Sequence, residues 1–240
     1  MITLYTGTPG SGKSFHLITV ILRNLKLGRY VISNFPISFN QKEIKKGYQD
    51  RFLFWGNEKI TVDNLIEFAL ENGFIEDQIE SRCLVVIDEA GGRFNCRDYA
   101  KSDRTAWIDF FSQHRKAGYD FILVAQMDRM IDRQIRGYIE TEKKHRKLNN
   151  FGPFFFLPIP VFVCIEYWYT ARVKVESEFI LFRKKVACKY NSMQFFTGFK
   201  ISQELLARIE AKRSGVDRLP DPSLKVPITA IYSEEKETVG

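Results

Sequence analysis

Gly7-Thr8-Pro9-Gly10-Ser11-Gly12-Lys13-Ser14 is a complete G-x-x-x-x-G-K-S phosphate loop. The apolar run Met1 to Tyr5 supplies a strand before it, and Phe15 to Leu27 continues as an amphipathic helix after it. The chemistry needs that order. Glycines let backbone N–H groups converge on phosphate oxygens, and the positive end of the helix faces the anion. Lys13 is expected to reach the β- and γ-phosphates of ATP, and Ser14 Oγ to sit on the Mg2+ that bridges them. A chance glycine turn would not carry the strand, the helix and the Lys-Ser pair together.

Beyond the loop, Arg29 to Phe35 reads as a second strand, with Gly28 ending the helix and Pro36 ending the strand. Val62 to Glu71 has helical spacing, with Thr61 as its cap. Cys83 to Ile87 is continuously apolar, as a central parallel strand buried on both faces requires, and it delivers Asp88 and Glu89 to the nucleotide crevice. Thr105 to Ala117 predicts a helix stopped by Gly118, Asp120 to Ala125 a buried strand ending at Gln126, and Met130 to Glu140 another helix. This alternation makes a doubly wound, mainly parallel α/β sheet of P-loop NTPase type the expected fold, with residues 1–149 as its ATPase core. Val161 to Val175 and Glu178 to Lys189 suit a C-terminal β-hairpin around Glu176-Ser177. This β-rich addition, 150–213, also holds a short helix over Ile201 to Lys212, and 214–240 reads as a linker or tail.

Asp88 is the expected second magnesium ligand beside Ser14. Glu89 is placed to orient and deprotonate water, which favours hydrolysis over transfer to a small acceptor; the plain alternative is the start of a solvated loop. Gln126 can bond the γ-phosphate or the lytic water, or merely end its strand. Such sites gather a further cation on the transferring phosphoryl group, often from a neighbouring subunit. Arg115 is the first candidate and Arg104 the second, against the common fate of surface arginines, which is solvation.

The net charge of +7 suggests an anionic partner. It is most concentrated at Lys143, Lys144, Arg146 and Lys147, read either as a solvated helix end or as a surface for single-stranded DNA or an anionic membrane. No helix-turn-helix, RNP or zinc-finger signature accompanies it. Cys83, Cys96, Cys164 and Cys188 form no C-x-x-C and have no metal-type spacing with His16, His114 or His145, so a reduced cytosol is expected. Met1 opens on strand residues rather than a secretory signal. The uncharged stretch Phe151 to Ile165 contains Pro153, Pro158 and Pro160 and falls short of the roughly 20 residues of a membrane helix.

MITLYTGTPGSGKSFHLITVILRNLKLGRYVISNFPI at 1–37, VVIDEAGGRF at 85–94 and HRKAGYDFILVAQ at 114–126 together resemble the zonular occludens toxin-like (Zot) family, which includes the filamentous-phage assembly ATPases. The likeness rests on the Tyr-Thr-Gly lead into the loop, Asn34 before Phe35-Pro36, Asp88-Glu89-Ala90 and the strand ending in Gln126. It implies an ATPase of the additional-strand, catalytic-glutamate class that acts as a homo-oligomer, hexameric by likeness to related motors. It also implies phage coat or assembly proteins as partners, and a cytoplasmic domain associated with the host inner membrane that powers virion assembly and extrusion. No transmembrane helix is expected within these residues, although family members usually continue into one. The competing readings are a DNA-translocating or packaging ATPase, a small-molecule P-loop kinase and a nonhydrolytic ATP-dependent scaffold.

Overall fold

The apolar runs at Ile2–Thr6 (β1), Cys83–Ile87 (β4) and Tyr119–Val124 (β5) lie side by side in the middle of one sheet, buried on both faces. The computed structural model describes residues 1–77, 79–95, 103–150 and 159–190. The other strands are β2 (Tyr30–Ser33), β3 (Phe52–Phe54), β6 (Thr141–Lys147), β7 (Val161–Trp168) and β8 (Val173–Leu181). Their order is β3-β2-β4-β5-β1-β6-β7-β8. The six strands from β3 to β6 run parallel, and β7 and β8 continue the sheet antiparallel. β5 therefore stands between the strand that enters the phosphate loop and the strand that ends at Asp88, the arrangement of an additional-strand P-loop NTPase.

The helices are α1 (Lys13–Lys26), α2 (Gln41–Ile44), α3 (Tyr48–Arg51), α4 (Val62–Glu71), α5 (Phe74–Asp77), α6 (Ala90–Arg93), α7 (Arg104–Gln113), α8 (Arg133–Arg136) and α9 (Lys184–Ala187). Alternate strand residues feed two cores, as the two-residue period of a strand dictates. On one face Leu17, Ile21 and Leu25 of α1 meet Tyr5, Val31, Val86 and Val124. On the other, Leu65 of α4 and Trp107 and Phe111 of α7 meet Leu4, Val85, Ile87 and Phe121. Thr61 caps α4 by accepting from the Asn64 N–H at 3.2 Å.

Three expectations are corrected. Residues 130–140 are not one helix: a 3-10 turn at Asp128–Met130 is followed by the single turn α8, which Asp132 caps and Gly137 ends. The basic run 141–147 is not a helix end but strand β6, hydrogen-bonded between β1 and β7; pairing along a free sheet edge overrides its charge pattern. The hairpin turns at Tyr169–Arg172, with Arg172 at φ +56°, and Glu176-Ser177 lie inside β8 opposite Glu166 and Ile165. That register puts Phe162 opposite Ile180 and buries both with Cys164, and past Leu181 the chain leaves the sheet for α9. The expected helix 201–212 and tail 214–240 lie outside the described residues. No helix among the described residues is long and apolar enough to cross a membrane.

Candidate nucleotide-binding site

The phosphate loop leaves β1 at the carboxyl end of the sheet and turns into α1. Two of its positions admit only glycine. Gly7 has φ +145°, and a Cβ there would lie 2.6 Å from the His145 carbonyl oxygen; Gly12 has φ +93°, and a Cβ would lie 2.6 Å from Cγ of Phe162. The Ser11 N–H donates to the Thr8 carbonyl at 3.2 Å and the Gly7 N–H to the Gln126 carbonyl at 3.4 Å, which fastens the loop to the end of β5. No side chain caps α1 and no acid occupies its first turn, so its leading N–H groups are available to an anion. Ser11 Oγ is buried without a partner inside this cradle, an orphaned polar atom that a phosphate oxygen fits. Lys13 Nζ spans the loop, donating to the carbonyls of Gly7 at 2.6 Å and Thr8 at 3.1 Å. Burial lowers its pKa, while Asp88 and Glu89 pull the other way.

Asp88 is held through its backbone. Asn34 Oδ1 accepts from the Asp88 N–H at 2.8 Å, and Asn34 Nδ2 donates to the Asp88 carbonyl at 2.8 Å. The Asp88 carboxyl accepts from the Glu89 N–H at 2.9 Å and from the Tyr190 hydroxyl at 3.2 Å. Ser14 acts on the same phenol in the opposite sense to Asp88, lowering its pKa. Burial, then Asp88, pushes the phenol pKa up to about 12. Burial likewise raises the Asp88 carboxyl, against the Glu89 N–H, the Tyr190 hydroxyl and Lys13. Glu89 is exposed in the left-handed conformation at φ +53°, and its carboxyl is raised by burial of part of the group and by the Asp88 charge. Tyr190 arrives from α9. Its ring meets Phe35 edge-on at 5.0 Å, and neighbouring Lys189 pairs with Glu43. Nothing in the local sequence marks Tyr190, and Asn34 stands out only within the family motif.

The structure brings the loop, Ser14, Asp88, Glu89 and the main chain of Gln126 to one end of the sheet; the Gln126 side chain is exposed there. Neither arginine joins them. Arg104 clasps buried Asp132 through Nε at 3.1 Å and Nη2 at 3.3 Å. Arg115 pairs with Glu140 at 2.7 Å, and Glu140 also accepts from the Ile2 N–H. Arg115 is therefore at the opposite end of β1, which at about 3.3 Å per residue is a strand length from the loop of its own chain. The basic run is divided by its strand geometry. Lys143 pairs with Glu166 at 3.1 Å, Lys144 with Glu142 at 3.6 Å while lying over the Tyr167 ring, and Arg146 is exposed.

The Gene 1 protein of Enterobacteria phage I2-2 is 27% identical over 136 residues, which cover 56% of this chain and 37% of that protein. The Gene 1 protein of Salmonella phage IKe is 26% identical over 136 residues with the same shares, and that of Enterobacteria phage M13 is 26% identical over 132 residues, 55% of this chain and 37% of that protein. The matched stretch thus spans well under half the length of these relatives. Among solved structures, one ATPase domain superposes with a TM-score of 0.51 at 9% identity over 79% of this chain and 84% of that one, a likeness of fold. The N-terminal domain of zonular occludens toxin from Neisseria meningitidis gives a TM-score of 0.48 at 19% identity over 79% and 98% of the two chains. The sequence matches the family described as zonular occludens toxin (Zot) over residues 1–194, and the chain belongs to that family.

Proposed function

We propose that this chain is a Mg2+-dependent ATPase that drives assembly and extrusion of filamentous virions at the host inner membrane. The observation that carries the reading is the joining of Lys13, Ser14, Asp88 and Glu89 around an anion cradle at one end of the sheet. The phage Gene 1 relatives and the family membership supply the biological setting. In this reading the loop N–H groups and Ser11 Oγ hold phosphate oxygens, and Lys13 swings from the Gly7 and Thr8 carbonyls onto the β- and γ-phosphates. Ser14 and Asp88 would hold Mg2+, at the place where the Tyr190 hydroxyl now meets Asp88. Bound Mg2+ neutralises charge gathering on the phosphate oxygens. Glu89 orients water for in-line attack on the γ-phosphorus and takes its proton as the bond to ADP breaks, with Gln126 aligning the water. A carboxylate at Glu89 favours water over a small molecule as the acceptor. The chain works as a homo-oligomer on phage coat or assembly proteins, and exposed Arg146 with Lys147 is the part of the basic run left for single-stranded DNA or anionic lipid.

Two substitutions test the core of this. Lys13→Ala is expected to weaken ATP binding about tenfold or more, since a charged hydrogen bond is lost. Glu89→Gln is expected to bind ATP as the parent does while phosphate release falls about 10²- to 10⁴-fold. A Glu89→Gln protein that turns over at the parent rate removes the assignment.

A further inference from the structure

Behind the phosphate loop lies a second cluster that the ATPase chemistry does not use. His16 stands on the first turn of α1, His145 on β6 and Cys164 directly opposite His145 on β7. The three residues are 4%, 2% and 2% exposed, and one donor atom from each lies within 4.8 Å of the others. We propose that His16, His145 and Cys164 bind a transition-metal ion, Zn2+ foremost, separate from the magnesium site at Ser14 and Asp88.

Proton placement favours a cation between the two rings. His145 Nδ1 faces the Thr6 carbonyl at 3.3 Å, which calls for a proton on Nδ1 and leaves a lone pair on Nε2. His16 Nε2 lies 3.8 Å from the exposed Glu178 carboxylate, beyond hydrogen-bond length, and the negative charge there favours a proton on Nε2 and a lone pair on Nδ1. Those two lone-pair nitrogens, His16 Nδ1 and His145 Nε2, are 2.8 Å apart. Shifting one proton to His16 Nδ1 relieves that contact but turns a bare lone pair toward Glu178. A metal ion accepts both lone pairs and leaves the His145 Nδ1–H on the Thr6 carbonyl, the supporting arrangement that orients metal-bound histidines, with the His16 Nε2–H turned toward the Glu178 charge. Two imidazoles and a thiolate suit zinc, and three protein ligands leave one position for water. Coordination by Cys164 as thiolate would displace its proton to solvent. The metal would join α1, which carries Lys13 and Ser14, to strands β6 and β7, at the place where the His145 carbonyl already abuts Gly7.

The test uses the whole chain, reduced, stripped by chelator and free of nucleotide, titrated with Co2+ alone. The expected result is one Co2+ per chain, with tetrahedral visible bands and a thiolate-to-cobalt charge-transfer band in the near ultraviolet, both displaced by Zn2+. Cys188→Ala retains the charge-transfer band and Cys164→Ala loses it. Glu178 is exposed and does not hold the fold, so Glu178→Gln serves as a second variant and is expected to weaken Co2+ binding about 10- to 100-fold. Absence of the charge-transfer band in the parent, its survival in Cys164→Ala, or undiminished affinity in Glu178→Gln overturns the site.

Discussion

The Tyr190 hydroxyl donates to Asp88, on which magnesium would depend, and it is the hydroxyl that would compete with the ion, since the ring packs on Phe35. Tyr190→Phe is therefore expected to lower the Mg2+ concentration for half-maximal phosphate release by about tenfold, a hydrogen bond to a charged group being worth roughly 1.5 kcal/mol. A magnesium titration showing no decrease counts against that contact. His114 gives a stability prediction. Its Nδ1–H donates to the Phe111 carbonyl at 2.6 Å, Nε2 is buried without a partner, and burial holds its pKa below the ordinary 6.5. The unfolded chain thus takes up a proton below about pH 6.5 that the folded chain refuses, so this contribution is complete above that pH and drains away as pH falls toward the folded value. His114→Asn keeps the donor and removes the titration, and urea midpoints at about pH 7.5 and 5.5 are expected to fall less for it than for the parent. The phosphate loop and Asp88-Glu89 were legible in the sequence because their chemistry needs neighbouring residues. Tyr190 was not, because it reaches Asp88 from a segment 102 residues along the chain.

Strand β6 shows why the second half was harder to read. Lys143, Lys144, Arg146 and Lys147 look like a solvated surface, but β1 offers a free parallel edge and β7 a second partner, and Glu142 and Glu166 neutralise two of the lysines. Charge composition carries no record of such partners, whereas apolar β1, β4 and β5 declare their burial directly. The hairpin β7–β8 is tied into the site through Phe162, which is buried against Gly12 and near Phe15. Phe162→Ala is expected to cost about 3 kcal/mol or more of stability and to weaken ATP binding with it, measured by denaturant unfolding and nucleotide titration. Unchanged ATP affinity in the folded variant would show that the loop stands without the hairpin.

The ends of the sheet constrain any assembly. Arg115 lies a strand length from its own phosphate loop, so the proposed role on a γ-phosphate requires the site of another copy. Turnover is then expected to rise with protein concentration, and Arg115→Ala mixed with Glu89→Gln is expected to regain part of the activity that each lacks. The exposed Arg115–Glu140 pair contributes at most about 1 kcal/mol, so loss of turnover in Arg115→Ala would not reflect unfolding. Flat specific activity from monomer upward, or full activity in Arg115→Ala, makes the domain self-contained. The strand order also sets a timetable for synthesis. β1 leaves the ribosome well before its partners: Ile2 lies beside Phe121 and Thr3 beside Thr141. At about 5–20 residues per second, the nascent chain waits roughly 6–23 s with no neighbour for the strand that bears the loop. The phosphate-loop motif thus takes shape long after it is translated, and ATP can act as a folding ligand only once translation has passed β6.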